Sequence, residues 1–341
     1  MGKSAGGGFL MKVICAFSSD SRPLYIADIY RVLALPEDYI VRFRYKKKYV
    51  GDAILNDPQS VIGADVAVFF SGGNKAVSTP SNDLTHVSVR MAQIVKVEVS
   101  ESTNVFHVSL SLKRFCDLSL VNVEQGKFFI EADCKINTVD VRWADRVEAV
   151  KPFFPRILFF HIKGIYSKCG KKLLLKRGGQ STCFYSLNHG EDYYIDLALG
   201  THESPDLHVG LGINGGDELL VNCINPLQTS AEYDDEPVYI SAKSLQLYRQ
   251  TGLIRFTPIY TSSASKNPEL AEYAVNVALD LKLSKCRSLL FASYSTCAAL
   301  SILGVTTDFG LSAMAGYAVK SMSALFFLGS AFVLYSYFDK K

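Results

Sequence analysis

The sequence predicts a mainly β protein, with two small β-sandwich or barrel-like domains followed by a C-terminal α-helical transmembrane hairpin. Three observations carry that prediction: long period-2 alternation in the first half, short strands between Gly, Asn and Pro turns in the second, and two charge-free apolar runs near the end. Alternation points to half-buried antiparallel strands, because successive side chains of a strand face opposite sides of a sheet. An uncharged apolar run approaching about 20 residues is long enough to cross a hydrocarbon core about 30 Å thick.

Residues 1–10 read as a flexible leader, because the apolar stretch from Phe9 is broken at Lys12 and supplies no export signal. A β-rich domain is expected over 11–150. His86–Val99 and Val105–Leu112 alternate, Ser100–Asn104 supplies the turn between them, and Asp65–Phe70 is a further strand. Within this domain Tyr39–Val50 interleaves basic and aromatic residues, and Arg42, Arg44, Lys46, Lys47 and Lys48 are the partner-binding candidates. Such cations could hold phosphates while the rings stack bases, and an acidic protein would use the same charges. The plainer reading places Val41, Phe43 and Tyr45 on a core face and leaves Arg42, Arg44 and Lys46 as an ordinary solvated face.

Pro152 and Pro155 enforce an extended connection and mark the boundary to a β-sandwich over 156–260. Its strands are expected at Ile157–Tyr166, Tyr193–Leu199, Glu218–Ile224 and Gly252–Phe256. Asn267-Pro268-Glu269 is a helix start with a cap, an N1 proline and an acid on the positive dipole end. From it a juxtamembrane helix is expected over 267–287, with Leu270, Ala274, Val277, Leu281 and Ser284 as a heptad seam able to gather a homo-oligomer.

The hairpin is placed at 288–338, as the spans Ser288–Val305 and Ser321–Phe338. Lys282, Lys285 and Arg287 precede it and Lys340 and Lys341 follow it, which puts both termini on the cytoplasmic side of the inner membrane, with the lipid bilayer as partner. Ser293, Thr296 and Leu300 share one face of the first span, and Lys320 sits beside the second; these are the membrane or pore candidates.

Chemistry-bearing motifs are weak. Eight cysteines are scattered without a CxxC pair, which fits reduced thiols better than a disulfide framework or a zinc site. A formal charge of +3 gives no whole-chain case for nucleic acid, so any such case is local to Tyr39–Val50. Gly210-Leu211-Gly212-Ile213-Asn214-Gly215 has the spacing of a dinucleotide loop, but a strand rather than a helix is expected after it. His202 and His208 near Glu203 and Asp206, and His189 near Glu191 and Asp192, match no standard metal spacing. No catalytic residue, metal or cofactor is assigned.

The order of a sensing module and then the charge-free pair of runs from Ser288 to Phe338 resembles bacterial anti-phage membrane effectors of the retron or nucleotide-signalling associated type. Val32–Pro36 followed by Val41–Tyr45 looks like an accessory domain of such gene clusters. The resemblance implies a non-enzymatic effector of abortive infection: the β domains sense a protein partner from the same operon, and the hairpin disrupts the inner membrane. The alternative is a membrane-anchored adaptor or scaffold that recruits a protein or nucleic-acid partner.

Overall fold

The structure of the protein, a computed structural model, describes residues 10–73, 84–122, 126–154, 157–179, 181–200, 208–217, 219–227, 233–242, 249–261, 277–284, 296 and 316–325. The first half contributes β1 (Leu10–Ser19), α1 (Pro23–Ala34), β2 (Ile40–Lys46), α2 (Asp52–Asn56), β3 (Asp65–Gly72), β4 (Thr85–Ser100), β5 (Val105–Phe115), β6 (Asp117–Asn122), β7 (Phe129–Thr138) and α3 (Trp143–Val150). Its strands form a seven-stranded sheet in the order β2-β5-β4-β3-β1-β7-β6. β1 and β3 run parallel, and the remaining neighbours are antiparallel.

The sheet curls until its far edge returns to β4. Leu118 N–H donates to Ser88 Oγ (2.7 Å) and Cys116 N–H to Val89 O (3.3 Å), which closes β6 onto β4. The alternation along β1 then serves two cores. Val13, Cys15 and Phe17 point into the closed ring with Ala67, Phe69, Leu118, Ala132 and Cys134, whereas Ile14 and Ala16 point out toward α1. A sheet covered on both faces has near-continuous apolar strands, as in β3, whose residues Val66 to Gly72 are all buried.

Helix α1 starts on Pro23, where the missing N–H costs nothing, and buries Ile26, Ile29, Tyr30, Val32, Leu33 and Ala34. Its last carbonyls have no partners within the helix, and two side chains from other elements supply them. Arg90, 2 % exposed, donates through Nη1 to Val32 O (2.9 Å) and Leu35 O (2.6 Å) and through Nε to Lys113 O. His161 Nδ1 lies 3.0 Å from Leu33 O, so that nitrogen carries the proton. Burial lowers the Arg90 pKa to about 9, which leaves the guanidinium charged at neutral pH beside the negative end of the helix dipole.

The second half contributes β8 (Phe159–Ser167), β9 (Lys176–Arg177), β10 (Cys183–Asn188), β11 (Asp192–Gly200), β12 (His208–Asn214), β13 (Leu219–Asn222), β14 (Tyr233–Ala242), β15 (Arg249–Thr261) and β16 (Val277–Ser284). They form sheets ordered β12-β15-β16-β10-β9 and β13-β14-β11-β8. Facing aromatics such as Phe160 and Phe256, stacked at 5.6 Å, belong to the apolar layer between the sheets. That layer is continuous with the α1 face of the first sheet. Tyr30 OH donates to Leu158 O and Tyr39 OH to Ala278 O (3.1 Å), so α1 and the turn after it are held from both halves.

Two expectations for the C-terminal part are overturned. Among the described residues no helix is long and apolar enough to cross a membrane. The transmembrane hairpin and the multi-pass inner-membrane placement with both termini cytoplasmic are therefore overturned. Residues 316–325 are helical, and the rest of 288–338 apart from 296 lies outside the described residues. Of the four membrane or pore candidates, Thr296 and Lys320 have helical backbone, while Ser293 and Leu300 lie outside the described residues. The juxtamembrane helix is also replaced in its described part. Val277, Leu279, Leu281 and Leu283 are buried in alternation on β16, so the pattern has the period of a strand.

Candidate functional site

Strand β2 is an edge of the seven-stranded sheet, and its burial alternates as the period-2 reading expects. Phe43 and Tyr45 pack inward, with Tyr45 OH donating to Phe17 O at 3.1 Å. Arg42, Arg44 and Lys46 are exposed.

The register fixes where the main chain of β2 points. Leu112 N–H donates to Tyr39 O and Lys47 N–H to Asn104 O, both across to β5 or its ends. In an antiparallel pair such bonds recur at every second residue. The groups of Val41, Phe43 and Tyr45 therefore face β5, and those of Ile40, Arg42, Arg44 and Lys46 face away from it. Ile40 N–H confirms the parity by donating outward to Cys183 Sγ at 3.3 Å. The outward N–H and C=O groups of Arg42 and Arg44 and the N–H of Lys46 have no hydrogen-bond partner among the described residues, while Lys46 C=O opens the single 3-10 turn Lys47–Tyr49.

Two cavities line this edge. One, of about 320 Å³, lies between Arg31 of α1 and Leu35 just after it, Ile40 to Phe43 of β2, and Val277 and Ala278 of β16. The other, of about 260 Å³, is bordered by Ser19, Ser21, Arg22 and Tyr25 at the start of α1, by Phe43 to Lys46, and by Tyr49 and Phe128. Both are lined by Asp28 and Phe43, so together they form one groove between β2 and α1.

The structure divides the five basic candidates. Arg42 pairs with Glu98 (2.7 Å), Lys47 pairs with Glu101, and Lys48 lies 4.8 Å from the centre of the Tyr49 ring. Arg44 and Lys46 have neither ion pair nor hydrogen bond among the described residues, and both border the second cavity. Arg22, which sequence reasoning did not single out, joins them there with its guanidinium 6.0 Å from the Tyr25 ring centre. Its signal would have been the run Ser18-Ser19-Asp20-Ser21-Arg22-Pro23 at a strand-to-helix turn, legible only once α1 is recognised.

Asp28 is the one carboxylate in the groove lining. Burial raises its pKa to about 6, against the opposing pull of Arg31, whose Nη1 is 3.1 Å away, and of Arg44. The groove thus holds one half-buried carboxylate whose pKa burial raises, and its rim is cationic.

Other constellations are structural. Ser71 Oγ is 2.8 Å from His86 Nδ1, but Ser71 is fully buried and offers no open face to a substrate. Cys15 and Cys134 approach to 3.8 Å inside the closed ring, and burial pushes the neighbouring Cys116 thiol up to about 12. Glu191 accepts from Tyr193 OH and Asp192 pairs with Lys168, while His202, Glu203 and Asp206 lie outside the described residues. Among the described residues no three His, Cys, Asp or Glu side chains are grouped to hold a metal. Gly210 and Gly212 lie on β12, and β13 follows in place of the helix a pyrophosphate loop requires. Neither a known protein family nor a curated protein matches the chain.

Proposed function

We propose that the chain is a non-enzymatic binding protein that recruits an acidic protein partner to the groove between β2 and α1. The observation that carries the reading is the convergence of Arg22, Arg44 and Lys46 on one cavity while Arg42, Lys47 and Lys48 are engaged elsewhere. Exposed cations without partners leave their charge available to an incoming anion and steer its approach. A stacking platform for nucleic acid needs successive open rings, whereas Phe43 and Tyr45 are buried. That favours a protein partner over a nucleic acid. In an anti-phage setting the same groove would be the sensor, without a membrane-disrupting step.

Fluorescence anisotropy with a labelled polyglutamate peptide tests the reading. The double variant Arg44→Glu, Lys46→Glu should weaken binding about tenfold or more, and raising salt should weaken wild-type binding toward the same level. Lys168→Glu, on the far sheet, should change little. Equal affinity of wild type and double variant would overturn the proposal.

A further inference from the structure

We infer that the acidic partner enters the groove as an extended segment that adds a strand to the free edge of β2 between Arg42 and Lys46. The inference rests on the partner-binding reading above and adds how the partner is held.

Three observations meet at this edge. The outward N–H and C=O of Arg42 and of Arg44, and the N–H of Lys46, have no hydrogen-bond partner among the described residues. They repeat every second residue, a spacing of about 6.8 Å, which is the repeat of a second strand's own groups. The groove runs along the same edge rather than across it, with room on both sides of Phe43.

Charge decides which segment fits. Basic residues on an edge strand usually discourage pairing, because two such edges would set like charges opposite each other. The row Arg42, Arg44 and Lys46 accordingly excludes a second copy of β2. A segment with an acid at every second position reverses that sign. In an antiparallel addition acids sit directly opposite Arg44 and Lys46, Arg42 being already paired with Glu98, and each acid's own N–H and C=O face β2. Main-chain bonds then give affinity and the alternating charges give selectivity.

The test uses the full chain and a labelled seven-residue peptide alternating valine with glutamate. One derivative carries N-methyl groups on its glutamate amides and another on its valine amides, with charge and composition otherwise equal. The parent peptide should bind, glutamate methylation should weaken it about tenfold or more, and valine methylation should leave it nearly unchanged. Arg44→Pro removes one outward donor without touching the β5 ladder. It should bind the parent more weakly than Arg44→Ala, which loses the same charge. Equal binding of all three peptides would overturn strand addition while leaving the acidic-partner reading in place. Failure of every peptide to bind, or binding of an oligothymidylate alone, would overturn both.

Discussion

The two edges of the seven-stranded sheet are treated in opposite ways. At β6 the edge is closed at its start: Ser88 Oγ takes Leu118 N–H, Val89 O takes the N–H of Cys116 just before the strand, and the buried Arg146 ties Asp117 (3.1 Å) and Ser88 O (3.3 Å) to α3. At β2 the outward N–H and C=O of Arg42 and Arg44 and the N–H of Lys46 have no partners among the described residues, under a row of cations. One edge closes a core, so its hydrogen bonds are stability. The other closes nothing, so its unused bonds are available to a ligand. The contrast implies that substitutions at β6 should change stability and spare binding, and that substitutions at β2 should do the reverse.

The largest effect should come from Arg146→Met, which leaves Asp117 half-buried without its cation and Ser88 O without its donor. Such losses cost roughly 2–4 kcal/mol, and a urea midpoint measured beside peptide binding should show the first falling and the second unchanged. Ser88→Ala removes the acceptor for Leu118 N–H and the donor to Cys116 O, at a cost of about 1–2 kcal/mol. An unchanged midpoint in both variants would mean that the ring is not held at this seam.

Asp28→Asn sharpens the β2 side. Its folded pKa of about 6 lies above the unfolded 3.8, so between those values the folded state binds the extra proton and stability falls as pH rises. The asparagine variant should lose that slope, visible as a flatter thermal midpoint between pH 4 and 6. It should also bind an acidic peptide more tightly at pH 7, since the groove loses its one lining carboxylate. A slope equal to wild type would place the titration elsewhere. The smallest stability change belongs to the Arg44→Glu, Lys46→Glu double variant, within about 0.5 kcal/mol because both side chains are exposed. A clear drop in its melting temperature would mean that the cations serve the fold.

Much of this contrast was legible residue by residue, and little of it as a whole. The alternation of β4 and β5 survives in part in their burial, because a strand face turned to solvent writes its period into the sequence, whereas β3 is buried throughout. Val41, Phe43 and Tyr45 inward with Arg42, Arg44 and Lys46 outward followed from the same rule. Helix α1 was missed: its aromatic and β-branched residues lie on both sides, because it is packed by the sheet and by β8 at once. β16 was misread because Val277 and Leu281, four apart, satisfy both a helical and a strand period, and only Leu279 and Leu283 discriminate. That an edge is free is a property of strand order, which no local pattern records. Charge-free runs gave the hairpin its plausibility, since hydropathy reports dislike of water and not the partner that provides shelter.

The capping of α1 has a consequence for how the chain is made. The carbonyl of Leu33 waits for His161, 128 residues later, and the hydroxyl of Tyr39 waits for Ala278, 239 residues later. At a synthesis rate of about 5–20 residues per second, the helix spends roughly 6 to 26 seconds on the ribosome before its last turn can be completed. During that interval Ile29, Tyr30 and Leu33 have only the first sheet to shelter them. The N-terminal half therefore keeps part of that surface open until β8 is made, and a premature stop before Phe159 should yield an aggregating fragment rather than a smaller working domain.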